Sequence, residues 1–193
     1  MAENVKDLLE ELKNLSQLML DLAYSSVFFK NKEIAKEVAL LYERLEELEE
    51  KLYLHLFAAS RGRVMKKLIS IIDLVESSKN VATAARNLSE LVIEGKEMHP
   101  IIKQALEESD EQIARCTVSR KSLLYNRTIG ELRIRSNTGA DLIAIRRGSE
   151  GKSWIFDPKK DTVIRHNDIL ICVGPSASCR KLSKLATGEV KHL

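Results

Sequence analysis

The stretch Asn137-Thr-Gly-Ala-Asp-Leu-Ile-Ala-Ile-Arg-Arg-Gly148 decides how the chain is divided. A turn signal at Asn137–Gly139 leads into alternating and β-branched residues, the pattern of a strand, and the run ends on two arginines and a glycine. The first hundred residues read differently. Apolar side chains recur there at Leu8, Leu12, Leu15, Met19 and Leu22, then at Ile34, Val38, Leu41, Leu45, Leu48 and Leu52 after a break at Lys30–Lys32. A second break at Ser60–Arg63 precedes Val64, Leu68, Ile71, Ile72, Val75, Ala82, Ala85, Leu88 and Val92. These spacings predict three long amphipathic helices, the third ending near Gly95. Their apolar stripes need one another for cover, so the expected arrangement is an up-down bundle. His99-Pro100 then opens a short fourth helix over Ile101–Glu108, since proline is tolerated in a first turn.

Charge divides the 193 residues in the same place. Residues 1–110 carry 15 Lys and Arg against 20 Asp and Glu, whereas residues 111–193 carry 16 against 8. Six of the eight glycines also fall in the second part, where turns between strands call for them. Two domains are expected, 1–110 and 111–193, separated by the acidic run Glu107–Gln112. In the second, Ile113–Val118, Ala140–Arg147, Ser153–Phe156 and Asp168–Gly174 read as strands. Thr128–Leu132 reads as a short helix, and Ser176–Leu185 as a terminal helix with Ser176 or Ser178 as its cap. The fold class is α plus α+β, the smaller domain holding a mostly antiparallel sheet.

Several functional classes are disfavoured. The N-terminus has charges every few residues and no apolar core of a signal peptide. The uncharged run Leu22–Phe29 falls far short of the roughly 20 apolar residues of a membrane span. Cys116, Cys172 and Cys179 form no CxxC pair, so the expectation is three buried thiols in a reducing, cytoplasmic setting. His55, His99, His166 and His192 show no paired spacing, no serine stands in a nucleophile-elbow context, and Gly148–Ser153 lacks two residues of a phosphate-loop spacing. Catalysis is not expected, and no cofactor motif is present. The basic surplus of the second part lacks a stacking aromatic pattern or a reading helix, so nucleic acid is the weaker explanation and association with an acidic protein surface the stronger.

The second part resembles the TrkA-C domain, the C-terminal RCK domain of potassium channel and transporter regulators. The shared features, in order, are Thr138-Gly139-Ala140, the strand through Ile145-Arg146-Arg147, Asp157-Pro158, Asp168 before the last strand, and Gly174-Pro175 before the last helix. Asn167 stands where that family usually has glycine, and asparagine tolerates the left-handed turn. Consecutive strand residues point to opposite faces, so Arg147 joins Ile143 and Ile145 while Arg146 joins Leu142 and Ala144. At the edge of an apolar face Arg147 can meet either a carboxylate, Asp141 or Asp168, or a phosphate. The resemblance implies two-fold pairing with a cyclic dinucleotide or another small anion at the pair's interface. On that basis Ile143, Ile145, Arg146 and Arg147 are the candidate ligand contacts.

Residues 1–108 resemble one three-helix half of a PhoU domain. That resemblance implies carboxylates one turn apart on two helices, which would hold a metal cluster. The counterparts here are Tyr42 with Glu46 and Glu76 with Asn80, so each pair retains one acid, and Glu46 and Glu76 are the candidate metal ligands. Together the two resemblances imply a cytoplasmic homodimer, peripheral to the membrane through its partner, that senses a ligand and controls a potassium or other cation channel or transporter. A metal-binding PhoU-type regulator of phosphate transport is the alternative.

Overall fold

A computed structural model describes residues 4–60, 66–96, 99–147 and 153–190. The chain forms two compact units, Met1–Glu97 and Met98–Leu193. The division falls before the fourth helix, Pro100–Glu107.

In the first unit, α1 (Val5–Phe29) starts at Asn4, whose side chain accepts the Asp7 N–H at 3.0 Å. It stops at Lys30, where a left-handed φ of 50° turns the chain. Asn31 then caps α2 (Lys32–Ser60), accepting the Glu33 and Ile34 N–H groups at 2.9 and 3.1 Å. The break read from Lys30–Lys32 is thus a C-cap followed by an N-cap, each satisfying backbone groups that a helix end leaves open. The break at Ser60–Arg63 lies mostly outside the described residues. Helix α3 (Lys66–Ile93) closes the bundle, and each helix packs on the other two. Leu8, Leu12, Met19, Leu22, Ile34, Leu45 and Leu52 are essentially inaccessible, as the periodicity requires. Leu41, Leu68, Ile71, Ile72 and Leu88 are only half-buried.

The second unit opens with α4 (Pro100–Glu107), capped by His99, whose imidazole accepts the Ile101 N–H at 3.3 Å. Strands β1 (Glu111–Thr117), β2 (Asp141–Arg147), β3 (Ser153–Phe156) and β4 (Ile169–Pro175) form one sheet in the order β1-β4-β2-β3, every neighbour antiparallel. Between β1 and β2 lie the short helices α5 (Ile129–Leu132) and α6 (Ile134–Thr138). Helix α6 was not foreseen. Thr138 and Gly139 end it, with Gly139 at φ 79°, so the turn signal at Asn137 is a helix terminus. Glu111 and Gln112, expected in a linker, begin β1.

Helix α7 (Ser176–Thr187) packs on β1 and β4. Its N-cap is Pro175, with no side-chain cap, so neither Ser176 nor Ser178 plays the role expected for it. Leu182, Leu185, Cys179, Leu170, Cys172, Cys116 and Ile145 build the core on this side of the sheet. All three cysteines are free and buried. Asn167 holds a φ of 63° and donates to the Val118 carbonyl, the left-handed turn expected of an asparagine in a glycine's place.

Candidate functional site

The register of β2 determines which candidate residues share a face. Leu142 pairs with Cys172, Ala144 with Ile171 and Ile145 with Leu170, so the alternation slips between Leu142 and Ala144 and Ile143 is the extra residue of a β-bulge. Leu142 and Ile145 both join the core beneath α7, whereas Ile143 is buried but outside that core. A one-residue irregularity reverses the parity of everything on one side of it. The shared Ile143–Ile145 face expected from strict alternation therefore does not exist. Ile145 is also fully buried in the α7 core.

The two arginines diverge as expected. Arg147 lies on the α7 side and donates from Nε to Asp168 Oδ1 at 3.0 Å and from Nη2 to Asp168 Oδ2 at 2.8 Å. Its Nη2 also donates to the Val163 carbonyl at 2.6 Å. Asp168 is 1% exposed and takes a further bond from the Arg165 N–H at 2.8 Å. The hydrogen bonds to Asp168 come first in raising the Arg147 pKa, and the charge of that carboxylate adds to them. Of the two open readings, the carboxylate is the one realised, and Arg147 is committed to tying β2 to the turn before β4.

Arg146 occupies the opposite face. It pairs across the sheet with Ile169 and Trp154, and its guanidinium carbon lies 6.0 Å from the Trp154 ring centroid. Trp154 and Phe156, two apart on β3, stack at 5.3 Å with an interplanar angle of 6°. Arg146 Nε is buried with no hydrogen-bond acceptor among the described residues. Arg115 on β1, paired with Ile171, projects to the same face. The floor between them is apolar, with Ala144 and Ile171 buried. A guanidinium beside stacked aromatics over an apolar floor suits a planar, anionic ligand. Trp154 and Phe156 were missed from sequence as members of this group. The signal was their i, i+2 spacing in a strand, which puts both rings on one face.

The two metal candidates stand on different helices. Glu46 is exposed on α2, and Glu76 on α3 accepts a hydrogen bond from the Tyr53 hydroxyl. Burial first, then the bond to Glu76, raises the Tyr53 pKa. Tyr42 is buried, its hydroxyl 3.3 Å from Thr83 Oγ1, with the Arg86 guanidinium 4.9 Å from its ring centroid. Asn80 is exposed. Beside Glu46, the Lys79 ammonium lies 2.6 Å from Glu49 Oε2, and its pKa is raised chiefly by that bond. Among the described residues no three His, Cys, Asp or Glu side chains converge as metal ligands. The residues on this face do not fit the metal cluster that a PhoU fold implies. The motif at Gly148–Ser153 lies mostly outside the described residues.

Comparison with known families agrees with this division. Residues 9–92 match the PhoU domain and residues 113–187 the TrkA-C domain, so the chain joins a PhoU domain to a TrkA-C domain. It is 28% identical over 162 residues to the uncharacterized MG323 homolog of Mycoplasma pneumoniae, an alignment that covers 84% of this chain but 65% of that relative's length. Among solved structures, the RCK_C domain dimer of S. agalactiae BusR in complex with c-di-AMP shares 26% identity, with a TM-score of 0.37 over 42% of this chain and 95% of that one. The RCK C domain of the potassium transport protein KtrA, also in complex with c-di-AMP, shares 25% identity, with a TM-score of 0.35 over 44% of this chain and 94% of that one. Among the described residues no helix is long and apolar enough to cross a membrane.

Proposed function

We propose that this chain is a non-catalytic cytoplasmic regulator of a potassium or other cation channel or transporter, working as a homodimer whose TrkA-C domain senses a small anionic ligand of the nucleotide class. The observation that carries the reading is the match of residues 113–187 to the TrkA-C domain. The outer sheet face supports the ligand class, because Arg146 offers an N–H uncommitted among the described residues next to Trp154 and Phe156. Ile143, buried at the bulge beside them, stays a candidate contact, while Arg147 acts by holding the turn at Asp168. A ligand changes regulation only if it binds two arrangements of the dimer unequally, and a site across a two-fold pair meets that condition when the pair shifts.

Cyclic di-AMP, the ligand in the BusR and KtrA complexes, is the first probe. Calorimetry on the full chain is expected to show saturable binding, with Arg146→Ala weakening it about 10- to 100-fold, the loss of one charge-assisted contact. Light scattering should give a dimer for both proteins. No binding of cyclic di-AMP, ATP or NAD, or equal binding by the variant, would refute the assignment of the ligand face.

A further inference from the structure

The seam between α2 and α3 is an antiparallel ladder of polar pairs. Tyr42 meets Thr83 and Arg86, Glu49 meets Lys79, and Tyr53 meets Glu76, so residue numbers fall on one helix as they rise on the other. Glu49 is 7% exposed and sits in the middle of it. A carboxylate buried to that degree needs a counter-charge, and in a bundle of this kind either a metal or a side chain can provide it. Here the Lys79 ammonium is 2.6 Å from Glu49 Oε2, the ground that a cation bound to that oxygen would have to occupy. Glu46, one turn before Glu49 on the same helix, adds its negative charge near Lys79. Glu76 is engaged by the Tyr53 hydroxyl, and Arg86, bridged to Glu90 at 2.9 Å, covers the Tyr42 ring.

We propose that Lys79 is the resident cation of the α2–α3 face, neutralising Glu49 where other domains of this fold would use a metal, so that the PhoU domain of this chain is built to be independent of metal. The charge comes attached to α3. It is present at every metal concentration and needs no loading step, and it brings one positive charge to one buried acid rather than assembling several acids around a multivalent ion. Arg86 lies about two turns further along α3, where its guanidinium faces the Tyr42 ring.

The test uses the full chain and two independent readouts. In the first, protein is equilibrated with Mn2+, Zn2+ or Fe2+ alone, passed over a desalting column and assayed for metal, while its thermal midpoint is followed by circular dichroism at 222 nm. The expected result is less than about 0.1 metal per chain and a midpoint that 1 mM metal or 1 mM EDTA moves by no more than about 1 °C, whereas a micromolar site would raise it by roughly 10 °C. In the second, Lys79→Met is expected to lower the midpoint by about 5–10 °C, and the double variant with Glu49→Gln to recover at least half of that loss, because the buried charge is then removed together with its partner. Lys79→Arg, which keeps the charge, should stay near the wild type and serves if Lys79→Met fails to fold. Stoichiometric metal that Glu49→Gln abolishes, or a midpoint unmoved by Lys79→Met, would overturn the proposal.

Discussion

Arg147→Met provides the sharpest test of how the second unit ties β2 to the turn before β4. The substitution keeps most of the side chain's apolar bulk and removes two bonds to Asp168, at 3.0 and 2.8 Å, and one to the Val163 carbonyl. Asp168 is 1% exposed and among the described residues would retain the Arg165 N–H alone. Breaking a fully buried ion pair costs about 3–5 kcal/mol, chiefly because one charge is left without a partner. Arg147 is 20% exposed, so water can reach part of the vacated space, and the expected cost falls to about 2–3 kcal/mol. In a unit of this size that lowers the midpoint by roughly 10–20 °C. The single tryptophan, Trp154, stands on β3 of this unit, so its fluorescence in a urea titration reports this unit apart from the helical one. Asp168→Asn in the same background should recover at least about 1 kcal/mol, giving a positive coupling in the double-mutant cycle. If Arg147→Met were to cost less than about 0.5 kcal/mol, the pair would be no more than a surface contact, and the argument that Arg147 is structural would fail.

Two further outcomes follow from the same geometry. Gly139→Ala should destabilise the second unit by about 1–3 kcal/mol in urea, since φ is 79° and an added Cβ would lie 2.6 Å from Ser178 Oγ; Ser178→Gly in that background should relieve the clash but not the backbone strain. Burial raises the Glu37 pKa in the folded helical unit, so the folded state binds this proton more tightly than the unfolded one. Stability should therefore fall as pH rises from the unfolded-state value toward the raised folded one and stay lower above it, and Glu37→Gln should remove that contribution and be more stable at pH 7 in thermal melts.

The division into a helical part and a strand-bearing part was legible in the sequence because both rest on periodicity. Leu8, Leu12, Met19 and Leu22 can share a face only on a helix, and the buried stripe in the structure is made of those residues. The left-handed turn at Asn167 and the helix stop at Lys30–Lys32 were legible for a local reason too, since each depends on a few consecutive residues and the conformations they tolerate. The candidate site was only partly legible. The separation of Arg146 from Arg147 follows from strand alternation, but which arginine is committed depends on Asp168, 21 positions along the chain from Arg147. The bulge at Ile143 likewise has no signal of its own, because Leu142, Ile143, Ala144 and Ile145 all suit a strand and the slip is visible only against the register of β4. On the helical side, the sequence alone showed Tyr42 and Asn80 at positions where the PhoU resemblance implies acids. Only the packing of α3 on α2 decided that Lys79 meets Glu49 there, because a contact between residues 30 positions apart is set by how two helices cross and not by the pattern of either one.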